Sequence, residues 1–223
     1  MAKTQRDYYD IQLRSCIYKY LIKLQGDNLG NNAIQYLKTE WGKAWIKEKS
    51  NANVILHTAF MKDTYNNLRN FGIRAIIFFG DLISKDKHFP IIINKNYEYE
   101  IGGVKVRGVF EYISEIERNG ETVFQVYHFN TLETKMATKD VPRNNIILLS
   151  EAHAFMDMFG QRNFELVSVD LFNEKVYTSI MTKELDLMLK RTVCDAAKCM
   201  KMDINIKSPD SKCFHCEIRN RCL

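Results

Sequence analysis

Val104-Lys105-Val106-Arg107-Gly108-Val109-Phe110-Glu111-Tyr112-Ile113, followed after Arg118-Asn119-Gly120 by Val123-Phe124-Gln125-Val126-Tyr127-His128-Phe129-Asn130-Thr131, is the stretch that decides the fold. Both runs are rich in β-branched and aromatic residues, and an Asn-Gly pair between two such runs is a strong hairpin signal. Side chains alternate across a strand, so His128 and Asn130 share one face while Gln125, Tyr127 and Phe129 share the other. Glu111 joins them from the partner strand.

Upstream, residues from about Arg6 to Lys23 read as a helix whose apolar stripe is Tyr9, Leu13, Cys16, Ile17 and Tyr20. On that stripe Cys16 reads as a small core residue. After a loop at Gly26 to Asn32, Ala33 to Lys49 suggests a second helix with Trp41 and Trp45 one turn apart, suited to core or groove packing. A third helix is expected from about Asn53, with Val54, His57, Met61, Tyr65 and Leu68 on one face, where a lone histidine by itself reads as a core residue. Arg74-Ala75-Ile76-Ile77-Phe78-Phe79 fits a short buried strand or a helix end, and periodicity does not arbitrate. Pro90 to Asn94 and Tyr97 to Ile101 read as strands, with Gly102-Gly103 as the turn into the central hairpin.

Downstream, a polar loop from Glu133 to Asp140 carries Lys135 and Lys139, and a helix is expected from about Arg143 to Phe159. Phe164 to Leu171 and Lys175 to Thr178 read as a second hairpin around Asn173, and a helix follows from Thr182 to about Met202. The order of helices, strands, helix, strands and helix suits an α/β sandwich with a central mixed sheet. With 223 residues, 46% of them hydrophobic, and only three prolines, the chain is long enough to bury a sizeable core as one domain over residues 1–223. No apolar run approaches the roughly 20 residues of a membrane span and no signal-peptide core precedes the first helix, so a soluble, cytoplasmic protein without membrane contact is expected. The net charge of +5 is compatible with a nucleic-acid partner.

The C-terminal segment 199–223 ends in Cys213-Phe214-His215-Cys216 and Cys222, a C-x2-C-x5-C array. A C-x-x-C turn presents two thiolates to one metal or cluster, and the third cysteine arrives after a short return of chain. A fourth ligand is required; Cys199 or His215 would complete a zinc site. Cys194 and Cys199 lie about 140° apart on a helix and read as core thiols.

Gly108-Val109-Phe110-Glu111-Tyr112-Ile113 resembles the "G-x-x-D-x-[IV]" strand of the RecB-type nucleases in the PD-(D/E)XK superfamily, and Val126 to Thr131 resembles their "[IV]-[IV]-D-Y-K-T" strand. His57 falls where these nucleases carry a helical histidine that binds metal, and Glu151-Ala152-His153-Ala154-Phe155 falls where they have "Q-x-x-x-Y", a DNA-facing helix motif. Arg14-Ser15-Cys16-Ile17-Tyr18-Lys19 resembles the "C-P-R-K" entry helix of the iron–sulfur branch, which includes the CRISPR-adaptation exonucleases and the AddB subunit of the AddAB helicase–nuclease. The resemblance implies a PD-(D/E)XK nuclease-like sheet flanked by helices, with an iron–sulfur staple, a 4Fe–4S centre on Cys16, Cys213, Cys216 and Cys222, joining the first helix to the tail.

It also implies a site built from the wrong letters. Glu111 keeps a carboxylate, His128 replaces the second one, and Asn130 replaces the charge-stabilising lysine. Arg107, on the face of Glu111, is a poor replacement because it stays protonated. His128 would accept Mn²⁺ or Zn²⁺ more readily than Mg²⁺. The expectation is a catalytically degenerate nuclease-fold protein that binds nucleic acid, DNA foremost, through Arg107, Glu151 and Phe155, or serves as a subunit of a DNA-processing or transcription assembly. One alternative is a divergent Mn²⁺-dependent deoxyribonuclease using His57, Glu111 and His128; another is a structural subunit with no DNA contact of its own.

Overall fold

The computed structural model describes residues 5–26, 33–49, 61–85, 88–118, 120–131, 141–160 and 164–201. Three helices come first, α1 (Gln5–Gly26), α2 (Ala33–Lys49) and α3 (Met61–Lys85). Strands β1 (His88–Ile101), β2 (Val104–Arg118) and β3 (Glu121–Asn130) follow, then α4 (Val141–Asn144), α5 (Ile146–Phe159), β4 (Phe164–Asp170), β5 (Lys175–Ile180) and α6 (Lys183–Lys201). The five strands form one mixed sheet in the order β1-β2-β3-β4-β5, antiparallel throughout except where β3 lies parallel to β4. A parallel neighbour needs a crossover, and the chain between β3 and β4 contains α4 and α5. No helix among the described residues is long and apolar enough to cross a membrane.

Strand alternation divides the core into two layers. Tyr112, Tyr127, Phe129, Val167 and Val169 point to the face covered by the first three helices, where the whole stripe Tyr9, Leu13, Cys16, Ile17 and Tyr20 of α1 is buried. Ile113, Val126 and Leu166 point to the opposite face, against Leu148, Leu149, Ala152 and Phe155 of α5 and Leu189 of α6. On the first face two small residues of α3 let α2 approach closely. A Cβ on Gly72 would lie 2.1 Å from Cζ2 of Trp41, and one on Gly80 would lie 2.9 Å from Cγ1 of Ile34. Trp41 is buried edge-on to Tyr9 and donates its indole N–H to the Arg69 carbonyl. The Trp45 side chain and His57 lie outside the described residues.

Three local expectations are revised. Arg74 to Phe79 is the middle of α3, with Ala75, Ile76 and Phe79 on its buried face. The two strands expected between Pro90 and Ile101 are one strand, β1, with a register shift between Pro90 and Ile92 and a left-handed Asn94 (φ 46°). The helix expected from Arg143 to Phe159 is interrupted at Asn145. That residue takes extended dihedrals and its side-chain oxygen accepts from the N–H groups of Ile147 (3.1 Å) and Leu148 (3.2 Å), restarting the helix as an N-cap.

The motif glycine of the central hairpin has a packing reason. Gly108 lies opposite Tyr97 in the β1–β2 register, and a Cβ there would lie 2.4 Å from Cζ of the Tyr97 ring. With the glycine, that ring lies across the strand and its hydroxyl meets the Ser150 hydroxyl on α5 at 2.9 Å. Tyr99 shares the same serine at 2.7 Å.

Candidate functional site

β2 and β3 pair from Arg118↔Glu121 to Tyr112↔Tyr127 and then part. Beyond that point β2 continues along β1, and residues 128–130 of β3 continue along β4. Glu111 and His128 are the first residues past the last rung, so their side chains stand at the mouth of a notch between the strands. An N–H at the fork lacks its ladder acceptor, and the Glu111 carboxylate supplies one: Oε2 accepts the Phe129 N–H.

Helices from both layers reach into this notch. From α1, Asp10, Arg14 and Tyr18 form a row at four-residue spacing beside the apolar stripe. Arg14 uses three arms of its guanidinium: Nε donates to Asp10 Oδ1 at 2.7 Å, Nη1 donates to Glu111 Oε1, and Nη2 donates to the Phe129 carbonyl at 2.7 Å. Asp10 is braced in turn by the Thr131 hydroxyl. From α5, Glu151 enters with none of its side chain exposed, and its Oε2 accepts the Glu111 N–H at 3.4 Å. His128 Nδ1 lies 3.3 Å from Glu111 Oε2 and 3.4 Å from Glu151 Oε1. Those are ion-pair distances without hydrogen-bond alignment, and both Nδ1 of His128 and Oε1 of Glu151 are buried without a hydrogen-bond partner.

The electrostatics follow from burial. Loss of water raises the Glu151 carboxyl to about 7, against the pull of His128 and helped by the Glu111 charge. Burial disfavours the charged form of His128, yet the two carboxylates outweigh it and move the imidazole upward. Arg14 is held in its charged form by Glu111 and Asp10 despite desolvation. Burial also pushes the Tyr18 phenol up to about 12, with Glu111 adding to the shift.

The structure therefore brings Glu111 and His128 together, and adds Arg14, Asp10, Thr131 and Glu151. Asn130 is not bonded into this set; its amide donates to Ser168 on β4 at 2.9 Å. Arg107 sits on the exposed arm of the β1–β2 hairpin, paired with Glu98 at 2.5 Å. Phe155 does not face solvent: it is 1% exposed, packed between Phe124, Phe159 and Phe164, so the expected nucleic-acid contact at this residue is corrected to a core role. Glu151 is likewise buried, its side chain turned into the notch. The signal that would have found Arg14 was the charged pair Asp10 and Arg14, one turn apart on the flank of an otherwise apolar stripe.

Of the cluster cysteines, Cys213, Cys216 and Cys222 lie outside the described residues, as do Lys135, Lys139 and His215. Cys16 is 1% exposed in the core, and burial pushes its thiol up to about 12, so it is protonated unless a metal offsets that cost. Cys194 and Cys199, expected in the core, are both half-buried on α6. Among the described residues no set of three or more His, Cys, Asp or Glu is arranged to hold a metal ion. Neither a scan against protein-family models nor a comparison with curated proteins finds a match to this chain.

Proposed function

We propose that the chain is a nuclease-fold protein of the RecB type whose active site has degenerated, and that it binds nucleic acid without cutting it, alone or within a DNA-processing assembly. The observation that carries this reading is the state of Glu111. The acid where the family places a metal ligand spends one oxygen on the Arg14 guanidinium and the other on the Phe129 N–H. Its neighbour on β3 is a histidine, and Asn130, in the lysine position, has turned to Ser168. Among the described residues the bonded set contains no lysine to assist water, and Glu111 keeps neither oxygen free for Mg²⁺. The net charge of +5 supports a polyanionic partner. On the same reading an iron–sulfur centre would be held by Cys16, Cys213, Cys216 and Cys222, supplying a covalent staple between α1 and the tail.

Fluorescence-anisotropy binding to short single- and double-stranded DNA, run beside cleavage assays with Mg²⁺ and Mn²⁺, tests the proposal. Binding that weakens as salt rises, without cleavage, is expected. Cleavage by the wild type that disappears in Glu111→Ala overturns it in favour of a divergent enzyme, and absence of salt-dependent binding points to a purely structural subunit.

A further inference from the structure

We propose that β5 is a self-association edge: a second copy of this chain pairs antiparallel along it, so that two five-stranded sheets continue into one another. The two outer strands of the sheet are built differently. On β1 the outward backbone is guarded by Pro90, by the register shift between Pro90 and Ile92, by the left-handed Asn94, and by the exposed charges of Lys95, Glu98 and Glu100. None of these devices occurs on β5. Its residues pair one-to-one with β4 without a bulge, include no proline, and carry a single charge, Lys175, at the first position. Among the described residues no strand lies on its outer side, so a row of N–H and C=O groups is left for another strand.

The strand also presents an apolar stripe. Val176 and Thr178 stand opposite Val169 and Val167 of β4 and so share the face covered by the first three helices, with Ile180 continuing it. The two β4 valines are buried, but Val176 is 36% and Ile180 63% exposed, and Thr178 between them is exposed too. A second copy fits this stripe by symmetry. A two-fold axis perpendicular to the sheet keeps every side chain on its own face, so only positions that share a face can stand opposite each other. Centred on Thr178, the axis sets Val176 against Ile180 of the second copy, Ile180 against Val176, and Thr178 against its own equivalent. Lys175 then faces Met181, and the two lysines lie at opposite ends. An apolar pair on either side of a threonine pair covers the stripe and opposes no like charges.

Sedimentation velocity of the full-length chain, with reductant and without DNA, tests this. A single short strand buries little beside the roughly 1,000 Å² of a stable interface, so the range is about 1 µM to about 1 mM protein. Wild type is expected to pass from monomer to dimer as concentration rises. Val176→Lys/Ile180→Lys opposes like charges at two rungs and should weaken dimerisation on the order of tenfold or more. Val176→Lys/Ile180→Glu opposes unlike charges at the same rungs and should dimerise more tightly than the first variant. A wild type that stays monomeric throughout overturns the proposal, as do two variants that associate equally or a first variant that dimerises like wild type. Both positions are exposed, so both variants are expected to fold. Should circular dichroism show otherwise, Thr178→Lys, which sets its own charge against itself at the axis, takes their place, and its dimerising like wild type or failing to fold overturns the proposal.

Discussion

Replacing Gly108 by alanine puts two effects in opposition, and the structure decides the sign. In an unobstructed strand, alanine is favoured over glycine by about 0.5–1 kcal/mol because the glycine loses more backbone freedom on folding. Here the added Cβ would stand 2.4 Å from Cζ and 2.9 Å from Cε1 of Tyr97, where an ordinary carbon contact is about 3.5–4.0 Å. The ring must move by about 1 Å, yet its hydroxyl is tied to Ser150 and it packs at a tilt against Phe110 with centroids 4.7 Å apart. Overpacking of this kind costs about 1–3 kcal/mol, so the net loss should be about 1–2 kcal/mol. For a chain of this size that corresponds to a fall in Tm of roughly 2–8 °C. The assay is thermal and urea unfolding of four proteins: wild type, Gly108→Ala, Tyr97→Ala and the double variant. In the Tyr97→Ala background the obstruction is gone, and Gly108→Ala should be neutral or stabilising. A Gly108→Ala variant more stable than wild type, or an equal effect in both backgrounds, refutes the assigned contact.

Glu151→Gln tests the buried carboxyl. Because burial lifts this group from 4.5 to about 7, the folded chain binds more protons than the unfolded one across that range, so its stabilising share is full below about 4.5 and is lost as pH rises through about 7. The upward move of His128 acts in the same direction. Glutamine carries no such dependence, so the variant's stability relative to wild type should improve steadily from about pH 5 to about pH 8; a flat difference by urea unfolding would show that Glu151 titrates normally. Asn145→Ala removes the acceptor for two N–H groups at the start of α5 and should cost about 1 kcal/mol, with Asn145→Ser recovering most of it. Equal unfolding midpoints for Asn145→Ala and wild type would mean the cap contributes nothing.

The central hairpin and the buried stripe of α1 were legible because each rests on a local rule, the Asn-Gly turn in one case and helical spacing in the other. Placing Glu111 beside His128 followed from strand alternation and a family resemblance together. The pairing of Arg14 with Asp10 was legible at helical spacing, but its place in the notch was hidden because Glu111 and Phe129 lie 97 and 115 residues away, beyond the reach of any periodic pattern. Phe155 and Glu151 were misplaced for a related reason. Their helix is apolar on most sides, so its buried face could not be chosen until the sheet beneath it was known. Arg74 to Phe79 stayed ambiguous since six residues fit either period, and only the length of α3 resolves them.

The fork between β2 and β3 has a consequence for how the protein is made. Its arginine is synthesised 97 positions before Glu111, and Glu151 follows a further 40 positions on. Closing such loops costs chain entropy before any contact repays it, so during elongation Arg14 stays hydrated while the α1 stripe awaits the strands that cover it. A chain interrupted before α5 would carry an unfinished fork with one helical layer missing. Products that end between the hairpin and that helix would then be exposed to cellular proteases.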